Sequence, residues 1–264
     1  MKLTFSTVAM LATLTGVAHA QAPASAFTPE QQARIGQIAG DYLLAHPEIL
    51  VQVSQKLQVQ QQQRAQTAMA ARVMDNQTAL LSDPSTPSVG PKAARVAVIE
   101  FFDYQCVFCS RLAPELEKVM QGHHEVRYVF KDWPIFASRW PASHDAAVRG
   151  LNIWKTKGPA AYMAFHNGIY RTGHDEGALT PADIDAVTRT VMKGTPLASG
   201  ADSDSVLEAN NQLAQKLGLT GTPGLIVMPV DNPTPDTITV LPGAVPVAQI
   251  EAAIRRAGGK ATKS

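Results

Sequence analysis

The stretch Val96–Ser110, VAVIEFFDYQCVFCS, decides how the chain is read. It is an apolar run carrying one acid, Glu100, followed by Cys106-Val107-Phe108-Cys109, and these are the only 2 cysteines among 264 residues. A C-x-x-C pair placed after a strand-like run and before a helix-like run is the pattern of a redox-active dithiol. The spacing puts Cys106 in the opening turn of a helix and Cys109 in the next, where a disulfide can bridge them. Free backbone N–H groups and the positive end of the helix dipole favour an anion at Cys106. Cys106 is therefore the expected thiolate and nucleophile, and Cys109 the deeper, resolving thiol. A fall in the Cys106 pKa from about 8.5 to roughly 5 would stabilise the dithiol form at pH 7 by about 2.7 kcal/mol, or about 60 mV.

Two other uses of such a pair come from the same residues. Half a zinc site needs two further ligands, and the neighbours on offer, His123 and His124, are adjacent rather than spaced by three to five residues. A structural staple across so short a gap would stabilise little. The expectation is redox chemistry, with neither metal nor cofactor.

Upstream, residues 1–20 read as a secretory signal peptide: Lys2, an apolar stretch to Val17, then Ala18-His19-Ala20 as the cleavage signal. The apolar stretch is too short and too rich in threonine to span a bilayer, and no later segment approaches spanning length. Export places the cysteines in an oxidising compartment. The chain has 23 basic and 22 acidic residues, and removing the leader with its one lysine leaves 22 of each. Nothing in that balance points to nucleic acid.

Residues 21–81 are expected to form a helical oligomerisation region. Thr28-Pro29-Glu30-Gln31 supplies an N-cap, a proline at the first helical position and a capping-box Gln. Ile35, Ile38, Ala39, Tyr42 and Leu43 line one face before His46-Pro47 interrupts the helix. A second helix is expected from Pro47 to about Leu81, with Leu50, Val53, Leu57, Ala68, Ala71 and Met74 along a seam and a glutamine-rich middle. Such a helix is marginal alone, which argues for self-association as a dimer or trimer; the alternative is a helix lying on the catalytic domain. Residues 82–93, rich in Pro, Ser and Gly, read as a linker.

The catalytic domain is expected over 94–258. Arg95–Phe102 reads as a central strand, and Glu100 within it as a partly buried acid of raised pKa, placed to exchange a proton with Cys109. The other reading of Glu100 is an acid at a strand edge paired to a lysine. A helix from Cys106 to about Gln121, kinked at Pro114, and a strand Glu125–Lys131 complete a right-handed βαβ unit. Residues 138–217 carry four helical patterns, an insertion into the α/β domain. Gly221-Thr222-Pro223-Gly224 before Leu225–Met228 marks a cis-proline candidate. A strand over Thr237–Leu241, a closing helix over Pro246–Ala257 and a tail at 259–264 follow.

The Glu100–Tyr104 run, Cys106-x-x-Cys109, the helical insertion and Gly221-Thr222-Pro223 resemble the DsbA-type branch of the thioredoxin superfamily. The N-terminal helices with Ala45-His46-Pro47-Glu48-Ile49-Leu50 most resemble the suppressor of copper sensitivity protein C (ScsC) group. The resemblance implies an α/β thioredoxin fold with an inserted helical subdomain behind a helical stalk. It implies a Cys106–Cys109 disulfide in the oxidised form, Glu100 as buried acid, Pro223 facing the disulfide, and Thr222, Val107 and Phe108 at the substrate groove. It also implies thiol–disulfide exchange on cysteine-containing secreted proteins in the periplasm, with a membrane thiol-redox partner. The dipeptide Val107-Phe108 departs from the Pro-His of strongly oxidising members and the Gly-Tyr of many isomerases, which leaves oxidase and isomerase both open, with isomerase favoured. Copper(I) held by the two thiolates and a chaperone or adaptor built on the stalk are the readings from other classes.

Overall fold

The computed structural model describes residues 26–197 and 202–258. The expected signal peptide and tail lie outside the described residues. Packing divides the chain between Gln58 and Val59.

In the N-terminal part, α1 spans Pro29–Ala45. The Thr28 hydroxyl accepts from the Gln31 N–H at 3.3 Å and the Gln31 side chain accepts from the Thr28 N–H at 2.9 Å, the expected reciprocal cap. No residue of α1 is buried, and Ile35, Ile38 and Tyr42 stand exposed on one face. The helix stops at His46, as the following proline requires.

The second helix, α2, spans Glu48–Asp75, and the expected unbroken run to Leu81 is not found. The Asn76 side chain donates to the Arg72 carbonyl at 2.8 Å and closes the helix, and the short α3 (Gln77–Leu81) follows. The seam also changes: Ala68 and Ala71 are exposed, whereas Ala70 and Val73 are buried with Leu80 and Leu81 in the core of the second unit. The last turns of α2 thus follow the alternative reading, a helix lying on the catalytic domain.

The expected linker is likewise a packed part of that unit. Within it β1 (Ser88–Val89) pairs antiparallel with β3 (Arg127–Asp132). Buried Thr86 accepts a hydrogen bond from the Lys131 ammonium at 2.6 Å, and Asp83 lies 3.5 Å from the same nitrogen. Prolines and Gly90 serve turns beside an edge strand here. Gly90 has φ 102°, and a side chain on it would collide with the Val126 carbonyl. Composition alone does not separate such turns from a flexible tether.

The sheet has order β1-β3-β2-β4-β5, with β2 (Val96–Phe102) at its centre. β2 runs parallel to β3 and antiparallel to β4 (Gly224–Pro229), which pairs in turn with β5 (Thr239–Pro242). All 7 residues of β2 are buried, which explains its nearly unbroken apolar run. Its alternate residues feed two cores. Val96, Val98 and Phe102 face a cluster shared with α4 (Val107–Gly122), α5 (Ala142–Arg171) and α8 (Val247–Arg256). Ala97, Ile99 and Phe101 face the cluster that holds Val73, Leu80 and residues of α7 (Ser203–Leu217).

α5, α6 (Pro181–Met192) and α7 form the helical insertion between β3 and β4. α5 is interrupted at Gly158, φ 72°, so its halves are the two helices expected before and after Pro159. Among the described residues no helix is long and apolar enough to cross a membrane.

Candidate active site

Cys106 is the N-cap of α4 and Cys109 lies in its first turn, so the chain turns from the central strand into the helix through Asp103, Tyr104 and Gln105. Asp103 holds this corner: its carboxylate accepts from the N–H groups of Gln105 at 2.7 Å and Phe136 at 2.9 Å and from the Ser143 hydroxyl at 2.8 Å. The Gln105 side chain accepts from the Gly177 N–H at 2.7 Å and ties the corner to the loop before α6. Neither Asp103 nor Gln105 announces this work in the sequence. An Asp three residues before the N-cap Cys106 is at most a turn signal.

Both cysteines are free thiols in this structure, the dithiol form of the pair for which a disulfide was expected. Cys106 is 3% exposed and Cys109 fully enclosed. The Cys106 pKa is drawn down to about 6, first by the hydrogen bond from the Cys109 thiol, with burial opposing and Thr222 and the N–H groups of Cys109 and Phe108 assisting. Burial pushes the Cys109 thiol well up, reinforced by its hydrogen bond to Cys106 and by the charges on Cys106 and Glu100. One sulfur is thus poised as an anion and its neighbour held as a thiol.

The Thr222–Pro223 peptide is cis, and it carries the Thr222 carbonyl to 3.2 Å from the Cys106 sulfur. An S–H donates to that carbonyl, and a thiolate has no proton to give it. The buried Thr222 hydroxyl has no hydrogen-bond partner, and Thr222 is among the groups that favour the anion. Val107 is half-buried and Phe108 is 51% exposed, its ring 5.4 Å from the Arg111 guanidinium. The structure therefore brings Cys106, Cys109, Val107, Phe108, Thr222 and Pro223 together.

Glu100 lies in the middle of β2, and the reading of it as a strand-edge acid paired to a lysine is overturned. Both carboxyl oxygens are buried without a hydrogen-bond partner, and Lys131, on the opposite sheet face, is bonded to Thr86 instead. Burial raises the Glu100 pKa to about 8, with Asp132 and Cys106 adding repulsion. Asp132 was missed by ending β3 at Lys131; the strand runs one residue further. The signal was present, since Asp132 continues the alternation Val126, Tyr128, Phe130 onto the core face.

The zinc alternative does not survive the geometry. His123 caps the far end of α4, about 25 Å along the helix from Cys106 at 1.5 Å per residue.

Residues 82–238 match the family model described as Thioredoxin. The chain belongs to the thioredoxin family. Within it the chain is a DsbA-like thiol–disulfide oxidoreductase, and its N-terminal helices match, over residues 31–64, the model described as Copper resistance protein ScsC N-terminal domain. Salmonella enterica Typhimurium BcfH is 38% identical, with 87% of this chain and 97% of that chain covered and a TM-score of 0.76. Proteus mirabilis ScsC in a transitional conformation is 27% identical over 87% of this chain and 97% of that one, with a TM-score of 0.59. Disulfide bond formation protein D of Bacillus subtilis is 27% identical over 152 residues, 53% of this chain and 67% of that protein.

Proposed function

We propose that the protein is a periplasmic disulfide isomerase acting on secreted proteins, assembled as a dimer or trimer through the exposed helical residues 28–58. The observation that carries the reading is the division of labour between the sulfurs, a Cys106 poised as thiolate at the helix start above a sealed Cys109 thiol. The Cys106 thiolate attacks a wrong disulfide of the client, forming a mixed disulfide and releasing one client thiolate. That thiolate attacks a second client disulfide, and a client thiolate finally attacks the client sulfur of the mixed disulfide, forming the correct bond and releasing the Cys106 thiolate with no net change of oxidation state. If the client stalls, Cys109 gives its proton to the Glu100 carboxylate and attacks Cys106. The client then leaves reduced, and the pair becomes a disulfide for a membrane partner to reduce.

Thr222 and cis Pro223 form one wall beside the sulfur, and exposed Phe108 offers an apolar contact to the client. The acidity of Cys106 supports isomerase over oxidase. With a pKa of about 6 in place of about 9, the thiolate stabilises the dithiol at pH 7 by about 1.4 kcal/mol, or about 30 mV, half the sequence expectation. The reduced form needed for isomerisation is favoured, but without the pull of a strong oxidant. The signal-like residues 1–20 support export.

The test is refolding of scrambled ribonuclease by the full chain beside Cys106→Ala, with the mass of the particle measured in solution. Recovery by the parent alone is expected, from a particle of more than one chain. Equal recovery from both sinks the catalytic reading. Rapid oxidation of reduced ribonuclease without unscrambling makes the protein an oxidase.

A further inference from the structure

Beneath the cysteine pair lies a cluster of buried polar atoms that this exchange chemistry does not fully use. The β2–β3 ladder pairs Glu100 with Phe130 and Phe102 with Asp132. Side chains two residues apart on a strand share a face, so Glu100 and Asp132 stand diagonally across the ladder on the face that Cys109 packs against. With strands about 4.8 Å apart and about 3.3 Å per residue, their backbones are about 8 Å apart, within joint reach of two carboxyl side chains.

Asp132 is fully buried, and only one of its oxygens has a partner, the Tyr162 hydroxyl donating at 3.2 Å. The other Asp132 oxygen and both oxygens of Glu100 have none. Two buried acids facing each other without a cation cannot both be ionised cheaply. The remaining titratable groups on this face do not relieve them. They are Tyr162, His166 and Tyr170 of α5, Asp103 and Tyr104 of the corner, and the two cysteines of α4; β4 presents apolar Leu225. Burial draws His166 down to about 3, which leaves it neutral, and it pushes the three tyrosines well up. Lys131, on the other face, is bonded to Thr86, and its attraction for Asp132 across the sheet is the smallest of the effects on that acid.

We propose that Asp132 is a positioning residue for proton transfer at Cys109: it forms an acid pair with Glu100 in which Asp132 holds the one proton present before the transfer and Glu100 takes the second, and it thereby sets the pH range in which Glu100 takes the Cys109 proton. The step balances within the site. The Cys109 S–H bond breaks, the proton goes to the Glu100 carboxylate, the Cys109 sulfur forms its bond to Cys106, and the client sulfur leaves with the electron pair. Asp132 neither gains nor loses a proton in the step. It acts through the proton it holds, since an ionised Asp132 would block the ionisation of Glu100. The inference rests on the exchange reading, in which Cys109 resolves the mixed disulfide.

The experiment follows the Glu100 carboxyl carbon by NMR against pH in the reduced full chain, with Glu100→Gln to assign the signal. In the parent, Glu100 and Asp132 are expected to report each other's titration as two-step curves, as coupled groups do. In Asp132→Asn, which keeps an acceptor for Tyr162, the two steps of the Glu100 curve should merge into one, because the second acid of the pair is gone. The inflection in the rate at which Cys109 resolves a glutathione mixed disulfide on Cys106 should move with it. Independent single-step curves in the parent, which need no variant to fold, overturn the acid pair. A Glu100 curve unmoved in Asp132→Asn does the same, and a rate inflection that stays while the NMR curve moves overturns its link to Cys109. The titration does not depend on activity, so an inactive parent with coupled acids would sink the exchange reading and leave the pair standing.

Discussion

Phe102 and Ile38 are both large apolar residues at the core-facing positions of regular elements, yet Phe102 is 1% exposed and Ile38 is 57% exposed. Around Phe102 the chain supplies every neighbour itself: Tyr104, Phe130, His166 and Tyr170 pack their rings on it. Around Ile38, α1 buries nothing, although it has a complete cap and an apolar stripe. A 17-residue helix is marginal in water without a packed face. The catalytic unit is held by its own core, whereas α1 carries an apolar stripe that no residue of its own unit covers, the face that the proposed self-association would use.

Phe102→Ala should cost about 3–5 kcal/mol of unfolding free energy in the catalytic unit, because the surrounding rings cannot close the hole. A denaturant midpoint corresponding to a loss below 1 kcal/mol would mean that this core is not what holds the unit.

A second, pH-dependent effect belongs to the same core. Glu100 has a folded pKa of about 8 against an ordinary 4.5, so the folded state binds its proton more tightly than the unfolded state. Its contribution to stability is complete below pH 4.5 and is lost as pH rises towards 8, up to on the order of 4 kcal/mol. Urea titrations at pH 5, 7 and 8.5 should show the parent losing stability across that window and Glu100→Gln losing much less. Parallel curves would remove the buried ionisation from the account.

Changing the exposed stripe should leave the catalytic unit's stability within about 0.5 kcal/mol while altering assembly. With Ile38→Ser and Tyr42→Ser together, light scattering is expected to report a smaller particle than the parent. An unchanged mass would assign self-association elsewhere.

The same contrast explains what was legible in the sequence. α1 was legible in full because its determinants are local: Thr28, Pro29 and Gln31 start it, and Pro47 ends it. The cysteine site was legible because C-x-x-C after an apolar strand fixes its own geometry, and the glycine-flanked Pro223 marked the opposing wall. What stayed hidden depends on partners distant in sequence. Lys131 is buried because Thr86 reaches it from a segment that reads as a tether. Asp132 is a core residue because Tyr162 of the insertion covers it. Asn76 ends α2 by one side-chain bond that no periodicity reveals.

The smallest effect tests the comparison from its weak end. Thr28→Ala removes one half of the α1 cap and should cost about 1 kcal/mol of helix stability, seen as faster amide exchange at Gln31 and Gln32. If α1 stood alone, the loss would stop there. If α1 is ordered by a second copy, each chain brings the same defect to the interface. A dimer then weakens by about 2 kcal/mol, roughly a 30-fold rise in its dissociation constant. A change of that size in sedimentation, with ribonuclease unscrambling per assembled particle unchanged, would mean that the cap is read through the interface. Faster exchange with the dissociation constant unmoved would mean that α1 lies outside it, and the exposed stripe of Ile35, Ile38 and Tyr42 would then need a different partner.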